Sequence, residues 1–436
     1  MKEQTKIPKN KMGRASELAR TGIQVGVNYL KYKAQKTITG NDDKSSFHEV
    51  TARQTYDTFS KLKGGPLKLA QMLSMDRNLI PEQYADQFSQ AHYNAPPLTY
   101  PLVVNTFMKE LGKRPNEVFE KFTTKAVSGA SIGQVHQAEI KDKKYAVKIQ
   151  YPGVADSLKS DLAIVKPIAT RLFQLDSKAI EPYMKEVEER LLEETDYHLE
   201  LERSQDLANK SSHLPHTRFP SYYPELSSKR ILAMEWIPGV QLDTFAESDA
   251  PRELKQTIAQ ALWDFYHHQI HDLRLFHADP HPGNFKIHED ELWVLDFGCT
   301  KFLEDNFYRD YFALMDPAVL DDDTAFRAAL HKLGLLLDSD SPSEKDKLAS
   351  LFRASVELLS RPFVHGTFDF GNQDYFDELA QFGEDARMDK ELSKLSTSRG
   401  NAHALYLNRT YFGLYHLVGS LDATITTKLP DYAANN

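Results

Sequence analysis

The sequence predicts an α+β fold, with a small mixed sheet followed by a larger helical lobe and a helical extension in front. Short strand-like segments cluster at about 119–150, around the turn signal Lys141-Asp142-Lys143-Lys144, and recur at Arg230–Ile237. Helical periodicity fills most of the rest, apart from a loop–strand–loop at 277–300. The 436 residues, 41% of them hydrophobic, suffice for a sizeable core. A single cysteine, Cys299, excludes an intrachain disulfide and a Cys-based zinc site. No uninterrupted apolar run of about 18 residues marks a membrane span, and no signal-peptide core follows the start.

In chain order, residues 1–13 read as a disordered basic start interrupted by Pro8 and Gly13. From Arg14 to about Ala34, Ala15, Leu18, Ile23, Val27 and Leu30 recur at mostly helical spacing, with Gly22 and Gly26 weakening the helix. A polar break at 40–46 precedes a helical stretch from Phe47 to Ser74, itself interrupted at Gly64-Gly65-Pro66. Asn94-Ala95-Pro96-Pro97 is the next break, and helical spacing then continues to Leu111. Beyond the strands, one long acid-rich helix is expected from about Glu181 to Ser204, and the Arg230–Ile237 strand ends at Pro238-Gly239. The amphipathic segment Arg409–Val418 reads as a core helix. The expected division is a basic segment 1–36, a helical extension 37–105, a small lobe 106–238 and a helical lobe 239–436.

The net charge of −9 conceals an asymmetry. Residues 1–36 hold nine basic and two acidic residues, a local +7, so the other 400 residues carry −16. An acidic body argues against nucleic acid as a partner, while the basic tip suits an anionic membrane surface. The tip is richer in Lys than Arg and carries Glu3 and Glu17, unlike a transit peptide, so the expected location is cytoplasmic and peripheral on a membrane.

The strongest chemical signal is His277-Ala-Asp279-Pro-His-Pro-Gly-Asn284, followed twelve residues later by Asp296-Phe297-Gly298. Phosphoryl transfer needs a carboxylate near the acceptor, an amide oxygen on one Mg²⁺ and a second carboxylate bridging Mg²⁺ to the phosphates. Kinases place the first two five residues apart on one loop and the third in a following D-F-G. Asp279 and Asn284 have that spacing, and the apolar run Leu292–Leu295 delivers Asp296 from a strand. An Asp/Pro/Asn turn beside an unrelated Asp-Phe-Gly turn would be the bland alternative, and the order and spacing of both signals weigh against it. Tyr145-Ala-Val-Lys148 matches the strand whose lysine meets the α/β-phosphates and a helix glutamate, although a strand ending in Lys is by itself commonplace. At the level of pattern, Glu193 and Glu194 are equal candidates for that glutamate. Ser128-Gly129-Ala130-Ser131 stands where a phosphate-covering loop belongs, its small residues letting backbone amides approach phosphate. His267, His268 and His271 show no metal-ligand pattern, His277 reads as a support for Phe297, and His281 is given no catalytic role.

Together these residues resemble the UbiB family of atypical kinases, the AarF-domain proteins linked to ubiquinone and other prenyl-lipid metabolism. The likeness runs from about Lys61 to the C-terminal helices. Ser128–His136 matches the loop running into S-I-G-Q-V-H, Ala146–Gly153 matches V-A-V-K-x-Q-x-P-G, and H-A-D-P-H-P-G-N is unchanged. Glu194 and Asp196 match the family's E-x-D pair, which implies Glu194 as the partner of Lys148. The family signature K-x-G-Q reads Lys68-Leu69-Ala70-Gln71, so the resemblance implies that Lys68 and Gln71 turn toward Glu194 and Asp196 as regulatory elements over the peptide site. Ala70 stands where the family has glycine, and Gly129 where it has alanine, which makes the loop more like an ordinary Gly-rich loop. Glu235 and Ile237, at the end of their strand, are further candidates for nucleotide contact.

The resemblance implies an ATP- and Mg²⁺-dependent atypical kinase or ATPase with a small-molecule or lipid substrate. Asp279 is then the catalytic carboxylate, Asn284 and Asp296 the Mg²⁺ ligands, and Lys148 the phosphate lysine. A nucleotide-gated lipid-handling scaffold with little turnover is the alternative. A conventional protein kinase is disfavoured, because no A-P-E follows Gly298 and the nearest run is Asp316-Pro317-Ala318.

Overall fold

Lys141 and Asp142 take left-handed φ values of 48° and 65°, the primed turn whose twist matches the flanking strands. They join β3 (Gly133–Ile140) to β4 (Lys143–Gln150). This computed structural model describes residues 11–39, 45–62, 66, 70, 82–89, 98–130, 132–173, 181–389, 399 and 402–428. Around the hairpin lie β1 (Lys121–Phe122), β2 (Ser128–Ala130) and β6 (Ile231–Glu235), giving the order β1-β3-β4-β6 with β2 also on β3. Every pairing in this sheet is antiparallel. Strand β4 lies between β3 and β6, and its last six residues are all buried.

The chain divides into two compact units, 1–203 with 221–236, and 204–220 with 237–436. In the first, α4 (Tyr100–Leu111) covers one sheet face by packing Val103 and Phe107 on Phe119, Val147 and Ile149. Proline at the start and left-handed Gly112 at the end bound that helix. The other sheet face packs Leu232 and Met234 against Tyr197 and Leu201.

The helical extension belongs to the same unit. It comprises α1 (Lys11–Thr39), α2 (Ser45–Leu62) and α3 (Glu82–Ser89), which pack with α5 (Val154–Phe173) and α6 (Glu181–Glu194). Helix α1 starts at Lys11, inside the segment expected to be disordered, and α5 had no counterpart in the sequence reading. Arg14 anchors α1. Its guanidinium is 2% exposed, donates from Nε and Nη2 to Asp161 at 2.9 and 2.6 Å, and donates from Nη1 to Leu62 O at 2.8 Å. Ser157 Oγ donates to the same carboxylate at 2.9 Å. The buried face of α1 therefore runs through Arg14, Leu18 and Thr21, whereas Ile23, Val27 and Leu30 are 69%, 45% and 66% exposed.

The expected single helix from 181 to 204 is two helices, α6 and α7 (Tyr197–Ser211). Long-range bonds break it: Gln150 Nε2 donates to Thr195 O at 3.0 Å, and Tyr197 N donates to Lys229 O at 3.0 Å. Asp196 accepts from His198 N at 3.1 Å and so starts α7.

The second unit holds a sheet ordered β5 (Thr217–Arg218), β10 (Glu291–Val294), β9 (Phe285–His288) and β7 (Val240–Gln241), with β5 parallel to β10. Strands β8 (Leu275–His277) and β11 (Thr300–Phe302) form a separate antiparallel pair. Helices α8 (Arg252–His267), α9 (Asp305–Ala313), α10 (Asp323–Lys332), α11 (Pro342–Ser360), α12 (Gln373–Met388) and α13 (Ala402–Gly419) supply most of the core. Tyr406, Leu407, Tyr411, Leu414 and Val418 of α13 are buried in it, so the last amphipathic segment is a core helix as expected. Of the helix histidines, His267 stacks on Trp263 with ring centroids 4.3 Å apart, and burial lowers its pKa to about 3. His271 bonds Tyr308 and Tyr411, each at 3.0 Å. His268 pairs with Asp272 at 2.8 Å, and no third ligand joins them among the described residues.

Candidate functional site

In the first unit the site is built on β4. Pairing with β3 and β6 opposite Val135 and Leu232 fixes the backbone of Lys148. Its ammonium donates to Glu200 Oε1 at 2.7 Å and lies 5.2 Å from the Tyr197 ring centroid. Lys148 and Glu200 are only 6% and 5% exposed, so each charge depends on compensation from inside the protein. Glu200 sits in the first turn of α7, where the helix dipole favours a carboxylate. Glu200 is thus a carboxylate partner of Lys148 beside the Glu194 that the resemblance implied. Glu194 is the buried last residue of α6, across the Thr195–Asp196 break. Asp196 caps α7 and lies 3.4 Å from Lys229 Nζ.

Ser128, Gly129 and Ala130 form β2, in register with Val135, Gln134 and Gly133. Ser131, Lys68 and Gln71 lie outside the described residues. Ala70 is described and fully buried with Leu18, Ala52 and Tyr84, so an alanine is accommodated at the signature's glycine position. A Cβ on Gly129 would meet open space, whereas one on Gly133 would come within 2.8 Å of the Tyr197 hydroxyl and crowd the Ile149 carbonyl. Gly133 is therefore required by close packing. Gln134 and His136, two apart and on one side of β3, carry a buried polar chain. Gln134 Oε1 accepts from Leu98 N at 2.7 Å, its Nε2 meets His136 Nε2 at 2.8 Å, and His136 Nδ1 meets Thr123 O at 2.7 Å. With Nδ1 donating to the carbonyl and Nε2 accepting, the imidazole is neutral, and burial pushes its pKa down. The S-I-G-Q-V-H run thus ties the hairpin to the segment entering α4.

Glu235 ends β6 and accepts from Ser221 N at 3.1 Å. Ile237 is buried, and its carbonyl accepts from Lys286 Nζ at 2.9 Å. Burial lowers the Lys286 pKa.

In the second unit the loop after β8 brings three expected residues together. Asn284 Nδ2 donates to Asp279 O at 2.9 Å, which turns its amide oxygen outward from that bond. Leu295 N donates to Asn284 O at 2.9 Å, tying the residue before Asp296 to the loop. Asp296 Oδ1 accepts from Gly298 N at 2.7 Å. Phe297 is fully buried beside Phe219, Phe265 and His277. His277, buried under the loop, is 3.5 Å from the Tyr266 hydroxyl through Nδ1. His281 Nδ1 accepts from Gly283 N at 3.0 Å, so its ring shapes the turn.

The sequence reading missed Arg409. It reaches Asp279 from α13, with Nη2 3.4 Å from Oδ1. No local signal could have found it, because 130 residues separate the partners.

No group of three or more His, Cys, Asp or Glu fit to cage a metal occurs among the described residues. The Asn284 amide and the Asp296 carboxylate are nevertheless hard oxygen donors at the two ends of the β9–β10 hairpin, where Leu295 N bonds Asn284 O. Mg²⁺ bound through phosphates takes only one or two protein oxygens and keeps several waters. The donor set fits that ion.

Residues 90–330 match the family described as the ABC1 atypical kinase-like domain. A Dictyostelium discoideum protein named probable serine/threonine-protein kinase abkA is 28% identical over 82% of this chain and 67% of its own length. Xenopus tropicalis AarF domain-containing protein kinase 1 is 29% identical over 67% of this chain and 57% of its own. Danio rerio atypical kinase COQ8B, named as mitochondrial, is 25% identical over 85% and 61%. The last two alignments span less than two thirds of the relatives' own length. A Mycobacterium tuberculosis protein solved in complex with erythromycin shares the fold, with a TM-score of 0.59 and 24% identity over 90% of this chain and 96% of that one. With its kinase-like α+β fold and the family model matching more than half of its length, the chain belongs to the ABC1 family of atypical kinases, the group that includes the AarF-domain proteins.

Proposed function

We propose that this chain is an ATP- and Mg²⁺-dependent atypical kinase or ATPase that supports ubiquinone or related prenyl-lipid metabolism at a membrane surface. The observation that supports this reading is the bonded loop and hairpin from Asp279 to Asp296, which carry a carboxylate, an amide and a second carboxylate in the order phosphoryl transfer uses. Asp279 would accept the proton of the attacking hydroxyl or water, and Lys148 would neutralise phosphate charge. Asn284 and Asp296 would hold Mg²⁺, which when bound supplies charge neutralisation across the β- and γ-phosphates. Ser128, Gly129, Ala130 and Ser131 would cover the phosphates. Glu194, Glu235 and Ile237 would belong to the nucleotide site, and Lys68, Gln71 and Asp196 would regulate access to it.

The test is ATP turnover by the full chain with and without anionic liposomes and a quinone-precursor phenol. Asp296→Asn is expected to lower kcat by about 10²-fold or more, since it removes charge that stabilises the transferring phosphoryl group. Turnover unchanged in Asp296→Asn would defeat the enzymatic reading. Nucleotide binding without phosphorylated product or free phosphate would favour the scaffold. Product analysis separates a small-molecule kinase from an ATPase and from transfer to protein.

The membrane part of the proposal is supported by α1. Its exposed Ile23, Val27 and Leu30 form one stripe at helical spacing, flanked by exposed Arg20, Lys31 and Lys33, the pattern of an interfacial helix. No described helix is long and apolar enough to cross a membrane. Deleting residues 2–36 would strand Asp161, so the sharper variant is Ile23→Ser/Val27→Ser/Leu30→Ser, which leaves Arg14 in place. Burying such side chains is worth about 1.5–3 kcal/mol each, so cosedimentation with anionic vesicles should fall by about tenfold or more while ATP affinity is kept. Undiminished vesicle binding would remove α1 as the contact.

A further inference from the structure

The loop that carries Asp279 brings no cation of its own. Its residues from Ala278 to Gly283 include neither Arg nor Lys, and where the kinase template has arginine before the aspartate this chain has buried Ala278. The positive charge arrives instead on α13. That helix is seated against the loop at Gly413, where an added methyl would overlap the Pro280 ring. One turn earlier on the same helix, Arg409 reaches Oδ1 of Asp279 at 3.4 Å. Arg409 is 22% exposed at its side chain, and its buried Nε finds no hydrogen-bond partner among the described residues. A buried N–H left unsatisfied costs free energy. A residue retained for packing alone would gain little from that arrangement, whereas one that must present charge to Asp279 would tolerate it.

We propose that Arg409 is a positioning residue for phosphoryl transfer, holding the Asp279 carboxylate in place and supplying from the C-terminal helix the charge that the loop lacks. The inference rests on the assignment of Asp279 above. In the transfer, the acceptor oxygen bonds to the γ-phosphorus and its proton passes to Asp279. The bond from that phosphorus to the β–γ bridging oxygen breaks, and its electron pair leaves with ADP. The 3.4 Å contact from Nη2 to Oδ1 orients the carboxylate.

Several groups face Asp279. Arg409 comes from α13 and Tyr266 from α8, while His281 and Asn284 lie in the loop itself. Burial keeps the Tyr266 hydroxyl protonated, and the Asp279 charge adds to that effect, with His277 next to it. Of these, only Arg409 is a permanent cation, so its loss removes the charge-assisted contact that orients the carboxylate.

The test compares Arg409→Met, Arg409→Lys and Asp279→Asn in the full chain by ATP turnover, by ATP affinity from calorimetry and by Tm. Arg409→Met is expected to lose about 10²-fold in kcat with ATP Kd changed by about threefold at most. Arg409→Lys, or added guanidinium on Arg409→Met, should restore part of the rate. Full activity in Arg409→Met overturns the proposal, and so does a loss that is not relieved by lysine or guanidinium. An Asp279→Asn variant with undiminished turnover would instead defeat the assignment of Asp279, which separates the two failures.

Discussion

Glu200→Ala is expected to destabilise the chain by about 3–5 kcal/mol, because it removes the carboxylate 2.7 Å from an ammonium that is only 6% exposed. Urea denaturation at constant pH measures it. Added ATP should recover part of the loss, since phosphate can take over as counter-charge to Lys148. Turnover should fall as well, because the lysine is no longer held at the end of β4. Glu194→Ala is the discriminating comparison. It leaves the Lys148–Glu200 pair in place and should cost less on both readouts. Equal or greater losses in Glu194→Ala would return the partner role to that residue.

Arg14→Ala should cost a similar amount, about 3–5 kcal/mol, because Asp161, 1% exposed, would keep a buried charge without its guanidinium. Lysine should not rescue the site: three separate N–H bonds reach Asp161 and Leu62 from a planar fork, a geometry that an ammonium cannot reproduce. The double variant Arg14→Met/Asp161→Leu should regain most of the stability, since apolar replacement removes both desolvation costs together. The urea midpoint and slope report all three variants. A loss in Arg14→Ala of under about 0.5 kcal/mol, the size of an ordinary surface change, would show that α1 is not held by this pair.

The contrast between these two sites explains what could be read from sequence. Asp279, Asn284 and Asp296 were legible because their chemistry is local: one turn and one short strand fix their spacing, and the bonds among them span few residues. The Lys141–Asp142 hairpin was legible for the same reason. Glu200 was not, because choosing it requires knowing that the helix breaks at Thr195–Asp196, and that break is set by Gln150 and by Lys229, 45 and 32 residues away in sequence. The apolar periodicity of α1 was visible, yet the buried face proved to be the one with Arg14 and Thr21. A pattern of hydrophobicity cannot anticipate that an arginine goes inside when an aspartate 147 residues on receives it. Arg409 illustrates the same limit at the site itself.

Strand β5 has a consequence for how the protein can be divided. It is encoded between Glu200 and β6, in a stretch that folds with the second unit, and it is the parallel neighbour of β10. The polypeptide therefore passes from one unit to the other three times, and no single cut yields both as whole pieces. A fragment beginning at Ile237 would keep Asp279, Asn284 and Asp296 but lose β5, exposing the β10 edge immediately before Asp296 to non-native pairing. A fragment ending at Arg203 would keep Lys148 and Glu200 but lose β6, which flanks β4. Neither fragment inherits a finished scaffold for its share of the chemistry. The reading of a genome that splits such a gene, or joins half of it to another, would have to treat the two halves as a single heritable module.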